Sequence, residues 1–335
     1  MYKYLRFISI FTFVLVLWGT GRAQDAEFSQ FYANPLYLNP ALAGATECGR
    51  LNLNYRNQWP SLGNAYVTYS VSYDQNIPSI NSGFGIVLMS DRQGDGALTR
   101  SNASLFYSYK LKVSDPIVIS FGVEGSFYQE HLQWEKLTFA SDIDPTTGNI
   151  NPNSQETPPS KTSVTTPDFS AGLVMNYYDQ WFAGVAVNHL TQPDLSFYGN
   201  TTSPMPMKFT VHGGVNVNLS NGMLGNFRQN DYLLQVNLLY LQQEKFNQLN
   251  AGMYLNKYPF VVGAWFRHNF TNPDAAIVLV GLTWNHMRFG YSYDFTVSKI
   301  GGSSGGAHEV TFSWDFCIYK GQKRRTIRAI KAPMF

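Results

Sequence analysis

Along most of the chain, apolar residues recur at every second position, in runs of about ten residues, which is the spacing of β-strands with one greasy face and one polar face. In AYVTYSVSYD, Ala65, Val67, Tyr69, Val71 and Tyr73 share one side, and Thr68, Ser70, Ser72 and Asp74 the other. In SNASLFYSYKLK, Ala103, Leu105, Tyr107, Tyr109 and Leu111 oppose Asn102, Ser104, Ser108 and Lys110. The pattern returns with Ile117, Ile119, Phe121, Val123 and Phe127, with Phe209, Val211, Val215 and Val217, and with Met287, Phe289, Tyr291, Tyr293 and Phe295. Alternation alone also suits a secreted two-sheet domain. The apolar rows, however, often carry aromatics at their ends, as membrane girdles do, and the opposite rows are small and hydrophilic, as a wet lumen requires.

Fourteen strands are predicted, starting near 50, 65, 82, 100, 117, 167, 181, 207, 231, 247, 260, 274, 287 and 306. The longest connections, about 133–166, 191–206 and 297–305, follow odd-numbered strands. Those after even-numbered strands are mostly tight, with 220–230 as an exception. An even strand number with long loops on one side and short turns on the other is the layout of a bacterial outer-membrane barrel with both termini in the periplasm. The expected fold is therefore an all-β transmembrane antiparallel barrel over 50–317. In lipid such a sheet closes first strand to last, because an open edge has no hydrogen-bond partner there.

The N-terminus fits this compartment. Lys3 and Arg6 precede an apolar run from Phe7 to Trp18, and Gly21-Arg22-Ala23 places small residues before a cut after Ala23. This reads as a secretory signal peptide over 1–23; the run is shorter than the roughly 20 residues of a membrane-spanning helix. The mature chain then begins near Gln24. Charged residues make up 14% of the sequence and aromatics 16%, and a formal charge of +2 gives no case for nucleic acid. Barrel closure would bring Cys48, before the first strand, and Cys317, after the last, to one periplasmic rim. A Cys48–Cys317 disulfide across that seam is one reading, since disulfides persist in that compartment, and two small buried residues are the other.

Between the signal and the first strand lies FSQFYANPLYLNPALAG, residues 28–44. Asn34-Pro35 and Asn39-Pro40 forbid a long helix. Phe28, Phe31, Tyr32 and Tyr37 need an apolar or stacking surface. Residues 24–49 are expected to form a plug in the periplasmic mouth or lower lumen, or else to lie flat on the periplasmic rim. The tail, 318–335, carries Lys320, Lys323, Arg324, Arg325, Arg328 and Lys331 without an acid. Such a tail is either solvated, or docked on an acidic periplasmic partner, or laid on an anionic lipid surface.

FSQFYANPLYLNPALAG together with NYRNQWPSL at 54–62 resembles the opening of the PorP/SprF family of outer-membrane proteins. Ser90-Asp91-Arg92-Gln93-Gly94, the block DFSAGLVMNYYDQWFAGVAVNHLTQPD at 168–194 and the block YSYDFTVSKIGGSSGGAHEVTFSWDF at 291–316 continue the likeness. The ending AIKAPMF is similar too, although Ala332 stands where a cysteine often precedes the proline. The resemblance implies a barrel of the type IX secretion and gliding machinery of Bacteroidetes-type bacteria. Implied partners are secreted adhesins with C-terminal sorting domains, periplasmic secretion components or a peptidoglycan-binding protein, and membrane lipid.

The residues give no sign of enzyme chemistry. His131, His189, His212, His268, His286 and His308 are scattered over strands and loops, and no nucleophile elbow, zinc helix or phosphate loop is present. His308-Glu309 and His268-Asn269 are strand neighbours whose side chains point to opposite faces. Asp142, Asp144 and Glu156 are expected to be solvated loop acids, and no cofactor or metal is implied. Two functions remain: a platform that binds, anchors or helps export surface proteins through the plug-like segment, the basic tail and the long 133–166 loop, and a plugged transporter for small hydrophobic or polar solutes.

Overall fold

The computed structural model describes residues 25–63, 66–151, 156–178, 180–220, 223–224, 231–270, 272–297 and 304–316. Fourteen strands form its wall: β1 Gly49–Gln58, β2 Tyr66–Ile77, β3 Ser82–Gln93, β4 Leu98–Lys112, β5 Ile117–Leu132, β6 Ser163–Tyr177 and β7 Trp181–Asn188. Then follow β8 Lys208–Asn218, β9 Leu233–Gln243, β10 Phe246–Lys257, β11 Phe260–Asn269, β12 Asn272–Trp284, β13 Met287–Thr296 and β14 Ala307–Phe316. Each pairs antiparallel with the next, a two-residue strand Met223–Leu224 flanks β8, and β14 pairs with β1 from Gly49↔Phe316 to Gln58↔Ala307. The barrel is closed, so the apolar band has no free edge.

The two longest connections lie at one end, as expected, although 94–97 and 244–245 at that end are short. Residues 78–81, 113–116, 178–180, 258–259 and 285–286 make tight turns at the end that carries Cys48, with 219–232 longer. The strand ends joined by 133–162, 189–207 and 297–306 lie at the other end.

The burial pattern is that of a soluble protein turned inside out. Leu105, Phe127 and Phe260 are 65%, 63% and 63% exposed, while Asp74, Ser108 and Ser292 are fully buried. The first set faces lipid and the second the lumen. The inner wall is not polar throughout, as the small hydrophilic rows had suggested. Inward positions of β6–β12 carry Val174, Phe182, Leu239, Tyr254, Val261, Trp265, Ile277 and Leu279, and these form one cluster with Phe31, Tyr32, Leu38, Ala41 and Leu42. A second cluster joins Phe28, Leu36 and Ala43 to Val87, Met89 and Phe106. The apolar residues of the N-terminal segment are what these inner patches exist to meet.

The segment therefore sits inside the barrel as a plug, reaching beyond the lower lumen to the long-loop end, and does not lie flat on the rim. Each Asn-Pro pair starts a turn: Pro35–Leu38 is a single helical turn and Pro40–Leu42 a 3₁₀ turn, with proline pre-set at the first position. Asn39 caps the second, accepting from the Ala41 amide at 2.9 Å. The chain is kept short-stepped and compact, and so fits a lumen.

Candidate functional site

The lumen segment is fixed at four levels, from the long-loop end to the tight-turn end. At the top, one oxygen of Asp25 meets His189 Nε2 at 2.9 Å and Lys208 Nζ at 2.6 Å, and the other lies 3.9 Å from Arg100. His189 Nδ1 is bonded to Asp168 at 2.7 Å, so both ring nitrogens are occupied. Burial alone would raise the Asp25 carboxyl, but the charges and hydrogen bonds of His189 and Lys208 hold it well below the usual range. Burial pulls His189 down, yet the Asp25 charge and the bonds from Asp168 and Asp25 lift it to about 9. A doubly tied, protonated imidazole is a clasp and has no free nitrogen for base chemistry.

One level down, Ser29 and Gln30 are gripped by β1, β11, β13 and β14. The Ser29 amide donates to Glu309 at 2.6 Å, and its hydroxyl donates to Asp294 at 2.6 Å. Arg56 bridges Asp294 at 3.1 Å and Glu309 at 3.4 Å, and Arg267 reaches Asp294 at 3.1 Å. Gln30 donates to the Glu309 carbonyl at 3.0 Å and accepts from Thr311 at 2.7 Å. Arg56, Asp294 and Glu309 are almost wholly buried; each charge there is affordable only because the others are present.

At mid-height the backbone from Asn39 to Gly44 is pressed into a groove of the wall. Gly172, Gly122 and Gly83, on β6, β5 and β3, have no room for a Cβ, which would fall on Asn39, Ala41 and Ala43 respectively. Ser120 donates to the Ala41 carbonyl at 2.8 Å and Ser108 to that of Ala43 at 2.7 Å. At the base, the Gly44 amide donates to Asp74 at 2.9 Å, Asp74 is paired with Arg50 at 2.9 Å, and Lys110 donates to the Gly44 carbonyl.

Phe28, Phe31, Tyr32, Asn34, Pro35, Asn39 and Pro40 are thus buried and Tyr37 half-buried, all against the barrel's own interior. Phe28 packs edge-on to Tyr37 at 5.2 Å, Tyr32 to Phe182 at 5.7 Å, and Lys208 lies 4.5 Å over the Tyr37 ring. As placed, these residues pack against the barrel's own interior. Lys323, Arg324, Arg325 and Arg328 lie outside the described residues, as do Cys317 and residues 1–23, where a signal peptide is expected. Cys48 is disulfide-bonded.

Of the fixing residues, Lys208 and Asp294 fall on inward polar rows by strand parity and Ser29 and Gln30 lie in the singled-out stretch, but neither Asp25 nor Arg267 is flagged and none is read as a clamp. Strand parity alone could also have flagged Arg56 and Glu309 as charges aimed into the lumen. His189, treated with the other scattered histidines, is brought onto Asp25 only by the closed fold. His308 and Glu309 do part as expected, His308 reaching the Tyr291 hydroxyl at 2.9 Å while Glu309 faces inward. Among the described residues no group of three or more His, Cys, Asp or Glu side chains is set to hold a metal.

A search of curated proteins finds no match. Among solved structures, the chain is similar to the toluene transporter TbuX of Ralstonia pickettii (TM-score 0.49, 13% identity, 89% of this chain and 96% of that one). It is also similar to the P. putida toluene transporter TodX (0.48, 10%, 84% and 93%) and to a KdgM porin (0.39, 8%, 80% and 99%). Residues 20–314 match the family described as "Type IX secretion system membrane protein PorP/SprF". A closed barrel with lipid-facing apolar rows and a match over nearly its whole length lead to one conclusion: the chain is an outer-membrane β-barrel that belongs to the PorP/SprF family of the type IX secretion system.

Proposed function

We propose that this barrel is a closed, non-enzymatic platform that binds large surface proteins on its outer side and secretion components on its periplasmic side. The observation that carries this reading is the lumen segment, covalently continuous with β1 and fixed by buried ion pairs, which leaves the wall and the rims as working surfaces. The long loops 133–162 and 189–207, polar and proline-bearing, suit contact with another protein better than a ligand pocket. The basic tail, through Lys323, Arg324, Arg325 and Arg328, suits an acidic periplasmic partner, for example a peptidoglycan-binding protein. Cargo of the adhesin type, with a C-terminal sorting domain, follows from the family. Purification of a tagged copy from its native membrane in mild detergent tests the proposal: co-recovery of a sorting-domain protein and periplasmic secretion components supports it, and the barrel alone, even after cross-linking, refutes it.

Passage of small solutes is the second reading. An apolar cavity of about 50 Å³ lies between the segment and β8–β10, lined by Phe28, Phe31, Leu38, Leu239, Leu241 and Phe246. A 150 Å³ apolar cavity is about what benzene needs, so this one holds no whole solute as it stands.

A further inference from the structure

The rim of the barrel is not level. β5 and β6 pair from Ile117↔Tyr177 up to His131↔Ser163, whereas β6 and β7 pair only from Tyr177↔Trp181 to Ala171↔Val187. Above Ala171, β6 has a neighbouring strand on one side only. A single further backbone bond on the other side, from the Leu190 amide to the Phe169 carbonyl at 2.9 Å, is the last with the chain leaving β7, whose His189 and Thr191 side chains hold Asp168 at the same height.

That bond also fixes which groups face the empty side. A strand residue sends its N–H and C=O to the same side, and successive residues alternate. Phe169, Pro167, Thr165 and Ser163 therefore face away from β5. The Thr162 carbonyl, which accepts from the Leu132 amide at 2.8 Å, shows that the even-numbered residues face β5. Pro167 agrees with this parity, since its missing N–H falls on the free edge and costs the ladder nothing. Ser163, Thr165 and Pro167 are exposed, and on that side their backbone groups bond to nothing among the described residues.

This edge stands in water. The outward row of β5 passes from Phe127 to Gln129 and His131, and that of β6 from Phe169 to Pro167, Thr165 and Ser163. Apolar residues give way to polar ones on both strands at the same height, which marks the upper limit of the apolar band. The neighbouring loop does not cover the edge: Leu195 and Met205 turn inward and pack on Tyr128. Natural sheets guard free edges with charge, most often lysine. Ser163-Val164-Thr165-Thr166 carries none and is rich in β-branched residues; only Pro167, at the membrane side, stops the ladder.

We infer that the free edge of β6, Ser163–Pro167, is a docking site that takes an extended segment of a protein outside the cell as an added strand. The inference rests on the platform reading above and says where the partner sits. Unpaired donors and acceptors repeating every second residue match the backbone of an extended polypeptide.

The test compares wild type with Thr165→Pro, which removes one edge-facing N–H and no bond to β5, and with Thr165→Lys, which keeps every backbone bond and adds a guarding charge. Each tagged barrel is purified from native membranes, with a photo-reactive phenylalanine analogue at position 165 in a parallel strain. The expected result is a sorting-domain surface protein cross-linked to position 165 and retained at least tenfold less by both variants, at unchanged barrel yield and heat-modifiable migration. Equal retention by Thr165→Lys overturns the edge assignment and leaves the platform standing. Cross-links only to a second copy of the barrel overturn it too. If wild type retains no surface protein, both the platform and the edge assignment fall.

Discussion

Gly122 of β5 lies so close to Ala41 of the lumen segment that a Cβ at 122 would fall on the Ala41 amide nitrogen. Wall and segment touch backbone to backbone there, which binds the segment more tightly than side-chain packing alone could. Gly125, three residues on, faces outward and meets only Phe169 at an ordinary 3.6 Å. Gly122→Ala is expected to destabilise the barrel by about 1–3 kcal/mol through overpacking, and Gly125→Ala to be near neutral. Urea titrations read by heat-modifiable gel migration check this; equal midpoints for the two variants would mean the groove does not hold the segment.

Arg56 is almost wholly buried between Asp294 and Glu309. Replacing it by methionine leaves the buried Glu309 carboxylate without its ion pair and Asp294 and the Ser29 hydroxyl with Arg267 alone. Arg56→Met is expected to cost about 3–5 kcal/mol, as the breaking of buried pairs does. Adding Asp294→Asn and Glu309→Gln should recover part of that loss in the same titration. A loss under 1 kcal/mol for Arg56→Met would sink the claim that these charges depend on one another.

The Asp25–His189 clasp is sensitive to pH. The His189 folded value, raised from 6.5 to about 9, makes its contribution complete below pH 6.5 and removes it as pH climbs through 9. Asp25, held below its ordinary 3.8, supplies stability above that value and loses it only in strong acid. Protease sensitivity of residues 25–30 should therefore rise between pH 7 and 10 in wild type. In His189→Gln it should be raised already at pH 7 and flat across that range. A wild-type profile as flat as that of the variant would contradict the clasp.

Much of this fold was legible because a barrel wall is written in period two: parity alone separates Leu53 and Tyr55, facing lipid, from Asn54 and Arg56, facing the lumen. Loop lengths told the two ends apart for the same reason, since antiparallel strands must return. The path of the segment was not legible. Its Asn-Pro pairs announced turns and its aromatics a surface, but the matching surface, Phe182, Trp265 and Leu279, is spread over strands far apart in sequence. Inward apolar residues on β6–β12 break the clean alternation only slightly, and nothing local distinguishes them from noise. The partners of Asp25 were hidden likewise, because His189 and Lys208 meet it only once the barrel closes.

Cys48 is disulfide-bonded, and the chain contains one other cysteine, Cys317, directly after Phe316, which pairs with Gly49 across the seam. We propose that the two are joined. Alkylation of unreduced, denatured monomer is expected to add no mass, and alkylation after reduction to add two adducts. Two adducts without reductant would refute the bond.

The closed lumen is the claim on which the platform reading stands, and planar-bilayer conductance tests it most directly. The intact barrel should show no steady ion conductance, and a variant lacking residues 25–46 should conduct through an opened lumen. Steady conductance from the intact barrel, matched by uptake of small solutes in proteoliposomes, would contradict the account and make the protein a transporter.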